Sequence, residues 1–121
     1  MNYELFLNEF NKSWIEKDFE KLKSCMHQNV VFLLPDLITE VKGADNCTNS
    51  YLEFMKVATI NTFSEKEILV NEFKSSVTIK YSFEIDYEID SVRYKETGHE
   101  ILVLEKSEYQ PKIIWRLLLN K

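Results

Sequence analysis

Glu100 is the side chain whose type and predicted surroundings best suit chemistry. The strand pattern described below places its carboxyl on an apolar face, between Tyr81, Leu102 and Trp115. Burial disfavours the charged form, so a carboxyl in such a place has a raised pKa. It can act as a general acid or base, or bind a ligand through one hydrogen bond. The competing interpretation is a half-exposed glutamate, or one paired with a neighbour, which has no role in function.

The other reactive side chains form no recognisable catalytic or metal-binding pattern. His27 and His99, like Cys25 and Cys47, have spacings that match no usual set of metal ligands, so we expect no metal site and no cofactor. No Ser-His-Asp or Cys-His nucleophile can be assigned. The two isolated cysteines predict free thiols in a reducing cytoplasm.

Composition narrows the class of protein. The 121 residues predict one domain, 1–121, with a single core. The net charge of −5, with acidic residues scattered along the chain, argues against a nucleic-acid partner. No apolar run approaches the roughly 20 residues that cross a bilayer, and the N-terminus lacks a signal-peptide pattern. We therefore expect a cytoplasmic protein without a membrane partner.

The clearest pattern in the chain is the alternation of apolar and polar residues over Val77–Ile89. A period of two over this length predicts a long strand with one buried face and one wetted face. Val30 to Leu34 reads as a short apolar strand ended by Pro35, and a loop follows from Asp36 to Gly43. Further strands are predicted at 63–73, 76–89, 92–106 and 112–119.

Three helices are predicted in the N-terminal half. Apolar residues recur at steps of three and four over residues 3–17, which is typical of an amphipathic helix. Asp18 is a suitable N-cap for a second helix, 19–26. Asp45 or Asn46 caps a third helix that extends to about Ala58.

Opposite charges predict the registers of two hairpins. A two-residue turn at Asp90-Ser91 is followed by a second turn around residues 108–111. Opposite charges that face each other across strands stabilise by about 0.2–1 kcal/mol each, and a slip of one residue would lose them. The predicted pairs are Glu88 with Arg93, Asp86 with Lys95, and Glu105 with Lys112.

These registers divide the strand residues between two faces. The predicted inner face contains Tyr81, Phe83, Ile85, Tyr94, Glu96, Glu100, Leu102, Ile113, Trp115 and Leu117. The predicted outer face contains His99, Ile101, Val103, Ile114, Arg116 and Leu118. Four aliphatic residues on neighbouring outer strands form the kind of patch that marks an interface, so we expect a homodimer through Ile101, Val103, Ile114, Arg116 and Leu118. In the alternative, slipped register the faces exchange, and His99 and Arg116 point into the pocket.

The order of these elements resembles the SnoaL-like, nuclear-transport-factor-2-like cone fold. The resemblance covers nearly the whole chain. It is carried by a first helix with Trp14, Lys17-Asp18 before the second helix, the segment V-V-F-L-L-P, Gly43 before the third helix, and a terminal Ile-Ile-Trp-Arg. It implies an α+β domain in which a strongly curved antiparallel sheet is closed by three N-terminal helices. Members are usually dimeric and have a pocket inside the cone.

The pocket implied by this resemblance is apolar and aromatic. Its expected lining consists of Phe10, Trp14, Phe32, Leu34, Tyr51, Met55, Tyr81, Phe83, Leu102, Trp115 and Leu117. A lining of this kind with one or two polar groups is typical of small-molecule sites.

The catalytic residues of the family's known enzymes are not reproduced. Ketosteroid isomerases have a tyrosine where this chain has Phe10, and a base aspartate where it has Leu34. Limonene epoxide hydrolases have a catalytic aspartate after Trp-Arg, where this chain has Leu117. Counted from the Asp90 turn, Glu100 matches a neutral carboxylic acid of the isomerases; counted from the C-terminal strand, that position is Val103.

Three functions remain open from the sequence. The first is a small dimeric protein that binds an apolar or aromatic molecule in the cone. The second is an enzyme of the isomerase, cyclase or dehydratase type that uses Glu100 with Tyr81 or a water molecule. The third is an interaction module whose cone is filled by its own side chains.

Overall fold

The α+β architecture predicted from the sequence is confirmed by a computed structural model, which describes residues 1–120. Within those residues, three helices and six strands follow one another along the chain. The elements are α1 (Tyr3–Ile15), α2 (Phe19–Ser24), β1 (Met26–Leu33), β2 (Glu40–Lys42), α3 (Ala44–Val57), β3 (Ala58–Glu72), β4 (Ser76–Ile89), β5 (Val92–Glu105) and β6 (Lys112–Asn120). None of these helices is long and apolar enough to cross a membrane.

The strands form one six-stranded sheet in the order β2-β1-β6-β5-β4-β3, which does not close into a barrel. Its pairs are antiparallel except that β1 lies parallel to β6, so the sheet is mixed. The strands β3 to β6 form an antiparallel meander, and its last strand, β6, lies beside β1. The helices pack against one face of this sheet and enclose the core with it.

The predicted register of the first hairpin is confirmed. Glu88 lies opposite Arg93, and Asp86 lies opposite Lys95. The turn residues Asp90 and Ser91 have φ angles of 51° and 65°. Two successive positive φ angles are those of a type I′ turn, whose twist matches that of the flanking strands.

The second hairpin begins as predicted but contains a β-bulge. Glu105 does lie opposite Lys112, yet the register shifts between Val103 and Leu104, so that Val103 faces Trp115 rather than Ile114. A bulge inserts one residue into one strand, and a shift of one residue moves every later side chain to the opposite face.

Because of the bulge, the faces predicted for the β6 residues after it were wrong. Arg116 and Leu118, predicted on the outer face, lie on the inner face with Glu100 and Leu102. Trp115 and Leu117, predicted inside, lie outside beside Val103 and Ile101. His99 remains on the outer face, so of the two residues that the alternative register placed in the pocket only Arg116 lies there.

Several element boundaries differ from the predicted ones because backbone interactions override side-chain propensity. The third helix begins at Ala44 after Gly43, whose φ is 91°, while the Asn46 side chain donates to the Lys42 carbonyl instead of capping. β3 follows α3 directly at Ala58, five residues before the predicted start. β2 forms within the predicted loop because it pairs with β1, and β1 itself begins at Met26, which places His27 on a strand.

The core occupies the space between the helices and the inner face of the sheet. Its largest fully buried side chains are Leu7, Phe10, Leu22, Val30, Phe32, Cys47, Val77, Ile79, Leu102, Leu104 and Ile113. These residues close one end of the space, and an aromatic cavity remains beside them.

Candidate functional site

A cavity of about 290 Å³ lies between α1, α3 and the inner face of the sheet. Eight aromatic residues contribute to its wall, and a smaller set of polar groups lies among them. Its lining consists of Asn11, Trp14, Phe32, Leu34, Val41, Ser50, Tyr51, Phe54, Phe63, Tyr81, Phe83, Ile85, Tyr87, Glu96, Glu100, Arg116, Leu118 and Asn120.

The structure brings most of the expected pocket residues to this cavity. Seven of the predicted site residues line it: Trp14, Phe32, Leu34, Tyr51, Tyr81, Phe83 and Glu100. Phe10, Met55 and Leu102 are instead buried in the core. Trp115 and Leu117 do not line the cavity, because the β6 bulge turns them to the outer face.

Glu100 is buried within the cavity wall, with 4% of its surface exposed. It lies opposite Tyr81 in the antiparallel pair of β4 and β5, and the Tyr81 hydroxyl donates a 2.6 Å hydrogen bond to Glu100 Oε1. Burial raises the pKa of the Glu100 carboxyl, and this effect outweighs the lowering by the Arg116 charge and the Tyr81 hydrogen bond. The neutral carboxylic acid is therefore favoured more than in water.

A short polar chain extends from Tyr81 to the edge of the cavity. Asn11 Nδ2 donates to the Tyr81 hydroxyl at 3.2 Å and to Glu65 Oε2 at 2.6 Å. Trp14 Nε1 donates to Asn11 Oδ1 at 3.0 Å. Asn11 is thus fixed on both ends of its amide, and the negative charge of Glu65 contributes to the raised pKa of Glu100.

Arg116 is the buried cation of the site, with 7% of its surface exposed. Its Cζ lies 4.1 Å from the centre of the Phe32 ring and 5.4 Å from that of Tyr51, which are cation–π distances. One terminal nitrogen donates to the Tyr51 hydroxyl. Arg116 Nε lies 3.4 Å from Glu100 Oε2 but forms no hydrogen bond. The ion pair with Glu100 is therefore a loose one.

Another tyrosine, Tyr87, lines the more exposed end of the cavity. Tyr87 packs edge-on against Phe54, with ring centres 5.2 Å apart, and stacks on Tyr94 at 5.3 Å. The Tyr87 hydroxyl donates to Glu96 at 2.7 Å. Burial and the neighbouring carboxylate raise the pKa of Tyr87 to about 12, so this hydroxyl is neutral near pH 7.

Gly98 allows Phe83 to reach its place in the cavity wall. It lies opposite Phe83 across β4 and β5. A Cβ at this position would lie 2.7 Å from Phe83 Cζ and 2.5 Å from the Leu119 carbonyl oxygen. Glycine is therefore required by close approach rather than by backbone angle.

Sequence reasoning missed the polar groups Asn11 and Glu65, and it placed Arg116 in the pocket only in the alternative, slipped register. Asn11 follows Leu7 by four residues and precedes Trp14 by three, so the helical period could have placed it on the buried face of α1. Arg116 is the single charge in an apolar segment, which is a signal for a buried cation, but its face depends on the bulge. Glu65 carries no such signal.

The chemistry available in the cavity is that of hydrogen bonds, one buried acid and one buried cation. No histidine or cysteine lines the cavity. Within residues 1–120 there is no group of three or more His, Cys, Asp or Glu side chains placed to bind a metal ion.

Comparison with known proteins identifies the fold. No protein-family model matches the sequence, and no curated protein matches it. Among similar solved structures, an NTF2-like protein from Cytophaga hutchinsonii has a TM-score of 0.81 and 15% sequence identity, and the match covers 100% of both chains. A ketosteroid isomerase-like protein from Erwinia carotovora atroseptica has a TM-score of 0.80 and 14% identity, over 97% of this chain and 92% of the other. The beta subunit of the benzoate 1,2-dioxygenase from Burkholderia mallei has a TM-score of 0.81 and 11% identity, over 98% of this chain and 88% of the other. At these identities the likeness establishes the fold alone. The chain has the NTF2-like cone fold, as its element order predicts.

Proposed function

We propose that this protein binds a small aromatic or apolar molecule with one polar end in the cone cavity. The observation that carries the proposal is an aromatic cavity of about 290 Å³ with the buried groups Tyr81, Glu100 and Arg116 in its wall. Cavities of this size and composition are typical of small-molecule sites. The NTF2-like cone is compatible with such a role but does not assign it.

The aromatic wall supports a flat or compact ligand. Trp14 and Phe63 meet edge-on at 5.4 Å, and Phe63 stacks on Phe83 at 6.0 Å. Rings that already pack on one another form a preorganised surface, so a bound ring adds contacts without ordering the protein. Each Å² of apolar surface removed from water contributes about 25 cal/mol to binding.

The polar groups support a ligand with one hydrogen-bonding end. The Tyr51 hydroxyl accepts from Arg116 and keeps its own proton for a ligand acceptor. Glu100 Oε2 accepts no hydrogen bond from Arg116 Nε, its ion-pair partner. A ligand that supplies a polar atom here would pair groups that are otherwise poorly paired, and this is how buried sites achieve specificity.

A thermal-shift screen tests the proposal. The wild-type protein is screened against compact aromatic compounds that carry a carbonyl, hydroxyl or carboxyl group. A ligand at one hundred times its dissociation constant adds about 2.7 kcal/mol of stability, which is a rise of several degrees in midpoint for a domain of this size. Hits that carry a hydroxyl or carbonyl group should weaken in Glu100→Gln and persist in the control Glu84→Gln, whose residue is exposed on the other face of β4. A panel with no shift contradicts the proposal.

A second candidate function is acid–base catalysis by Glu100, as in an isomerase, cyclase or dehydratase. It is favoured by one observation, namely a buried carboxyl with a raised pKa that borders the cavity and is oriented by Tyr81. Efficient proton transfer needs a pKa near the working pH. Titration of the Glu100 carboxyl by carbon-13 NMR separates the two candidate functions. A pKa of this carboxyl below about 5 would contradict acid–base catalysis near neutral pH.

The interaction module with a filled cone is the least suited of the three functions. That hypothesis needs the protein's own side chains to fill the cone, whereas a cavity of about 290 Å³ remains inside it.

A homodimer through the outer face of the sheet is part of the proposal. After the β6 correction, the half-buried apolar residues on this face are Val31, Leu33, Ile101, Val103, Trp115, Leu117 and Leu119. They occupy three adjacent strands, and a contiguous apolar patch of this kind is typical of an interface. A second copy of the chain is the proposed occupant, which leaves the cavity on the opposite face of the sheet free.

We also place the protein in the cytoplasm. Cys25 and Cys47 are both buried as free thiols, which is usual in a reducing compartment.

A further inference from the structure

We propose that the polar end of the cavity binds a carboxylate, and that the ligand is an aromatic carboxylic acid taken up with one proton that it shares with Glu100. This inference deepens the proposed function and rests on it, because it requires that the cavity binds a ligand at all.

The positive charge of Arg116 is incompletely neutralised by its protein neighbours. A buried charge is costly unless it is paired and hydrogen-bonded. In a well-formed arginine–carboxylate pair, nitrogen and oxygen lie about 2.7–2.9 Å apart and two parallel hydrogen bonds are common. Here the distance from Nε to Glu100 Oε2 is 3.4 Å and Nε has no hydrogen-bond partner.

The other contacts of Arg116 do not supply a negative charge. Its terminal nitrogen donates to Tyr51, a neutral hydroxyl, and its guanidinium carbon lies over Phe32. Arg116 is one of the residues that line the cavity. A carboxylate that enters the cavity would therefore meet a cation that is already desolvated and held in place by two aromatic rings.

The carboxyl of Glu100 explains why a proton accompanies the ligand. Two carboxylates a few ångströms apart do not both ionise, and such a pair shares one proton. Glu100 Oε1 accepts from Tyr81, while Oε2 is the oxygen nearer Arg116. The proton between Oε2 and the ligand leaves one negative charge for the guanidinium, so the complete site is neutral.

The thiol and the tyrosine hydroxyls around Glu100 do not compete with it for the shared proton. The titratable or charged groups near the Glu100 carboxyl are Cys47 and Tyr51 on α3, Glu65 on β3, Tyr81 on β4, Glu96 on β5 and Arg116 on β6. From α1, the neutral side chains of Asn11 and Trp14 face the same end of the cavity. Burial raises the pKa of both tyrosines, and that of Cys47 to about 11, so these groups stay neutral from pH 5 to 9. Glu96 is bonded to Tyr87 at the exposed end of the cavity, and Glu65 is bonded to Asn11.

The test compares matched acids and amides by isothermal titration calorimetry. The probes are benzoate, 2-naphthoate and 3-phenylpropionate, each with its primary amide, measured with the wild-type protein from pH 5 to 9. Above the pKa of Glu100, we expect the affinity for an acid to fall tenfold for each pH unit, because one proton must be taken up. Below that pKa the affinity should be constant, and the affinity for the amides should not depend on pH.

The variant Glu100→Gln provides the second measurement. It should bind the acids with an affinity that no longer changes with pH, because no carboxyl remains to share the proton. Its fold is checked by circular dichroism before titration. The wild-type pH profile tests the proposal independently, should the variant not fold.

The outcomes separate this inference from the proposed function. Amides that bind while their acids do not would overturn the inference and leave the ligand-binding function intact. Acids whose wild-type affinity is unchanged up to pH 9 would overturn the shared proton. Absence of binding by every acid and amide, together with a thermal-shift panel without hits, would overturn both.

Discussion

The hydroxyl of Tyr81 donates a 2.6 Å hydrogen bond to Glu100 Oε1 across the antiparallel pair of β4 and β5. The two residues are direct partners in the register, so the backbone of the sheet fixes their separation. Burial then acts on the carboxyl, and the hydrogen bond acts against burial. The pKa of the Glu100 carboxyl thus depends on two opposing effects, burial and the Tyr81 hydrogen bond, which mutation can separate.

Replacement of Tyr81 by phenylalanine should raise the pKa of Glu100 further. The Tyr81 hydrogen bond stabilises the charged carboxylate and therefore lowers this pKa. A hydrogen bond to a charged group contributes about 1.5–3 kcal/mol, which corresponds to about one to two pKa units. Carbon-13 NMR titration of the Glu100 carboxyl measures the change.

Tyr87→Phe is the matched control for this experiment. It removes a hydroxyl from the same strand, but one that bonds to Glu96 at the exposed end of the cavity. The Glu100 titration should stay unchanged in this variant. Equal shifts in both variants would show that a general loosening of β4, rather than the Tyr81 hydroxyl, changes the pKa.

The variant Glu100→Gln should gain stability relative to the wild type as the pH rises. Glu100 has a folded-state pKa above its ordinary value of 4.5. The folded protein therefore binds more protons than the unfolded chain between these two values, and its stability falls as the pH increases through them. The difference in the free energy of unfolding between the variant and the wild type should grow by about 1.4 kcal/mol for each pH unit between the two pKa values. Above the higher value it should be constant.

Urea unfolding of both proteins from pH 4 to 9 measures this difference. Below pH 4.5 the carboxyl is mostly neutral in both states, so the stabilities of the variant and the wild type should depend on pH in nearly the same way. A difference that shrinks as the pH rises would mean that the Arg116 charge outweighs burial, and that Glu100 is an ordinary ionised partner of Arg116.

The first hairpin and strand β6 show which features the sequence could predict and which it could not. Glu88 and Arg93 were expected to face each other, and they do, because the alternation and the charges agree on one register. The position of Arg116 could not be predicted in the same way. It depends on a β-bulge in β6 that arises where this strand also pairs with β1, a contact with a residue far away in the sequence.

Replacement of Ile101 by glutamate should separate the proposed dimer into monomers. Ile101 lies opposite Leu117 in the half-buried apolar patch on the outer face. A carboxylate placed at the centre of such an interface would be desolvated without a partner, which is strongly unfavourable. Sedimentation velocity at several protein concentrations measures the change in mass.

Val92→Glu is the control for the interface. Val92 is an exposed apolar residue, 52% accessible, that lies outside this patch, at the start of β5 beside the hairpin turn. We expect this variant to remain a dimer. A wild-type protein that is monomeric at every concentration would overturn the proposed interface without affecting the cavity.

Replacement of Gly98 by alanine should destabilise the fold and reduce the volume of the cavity. The new Cβ would lie 2.5 Å from the Leu119 carbonyl oxygen, which is backbone and cannot move aside, and 2.7 Å from the ring of Phe83. Overpacking of this kind typically costs about 1–3 kcal/mol. The ring should relieve part of the strain by moving into the cavity.

Urea unfolding measures the loss of stability, and the double variant with Phe83→Leu should recover the part caused by the ring. Recovery of the whole loss would show that the backbone contact with Leu119 contributes nothing, and no recovery would show that Phe83 is not held in place by Gly98.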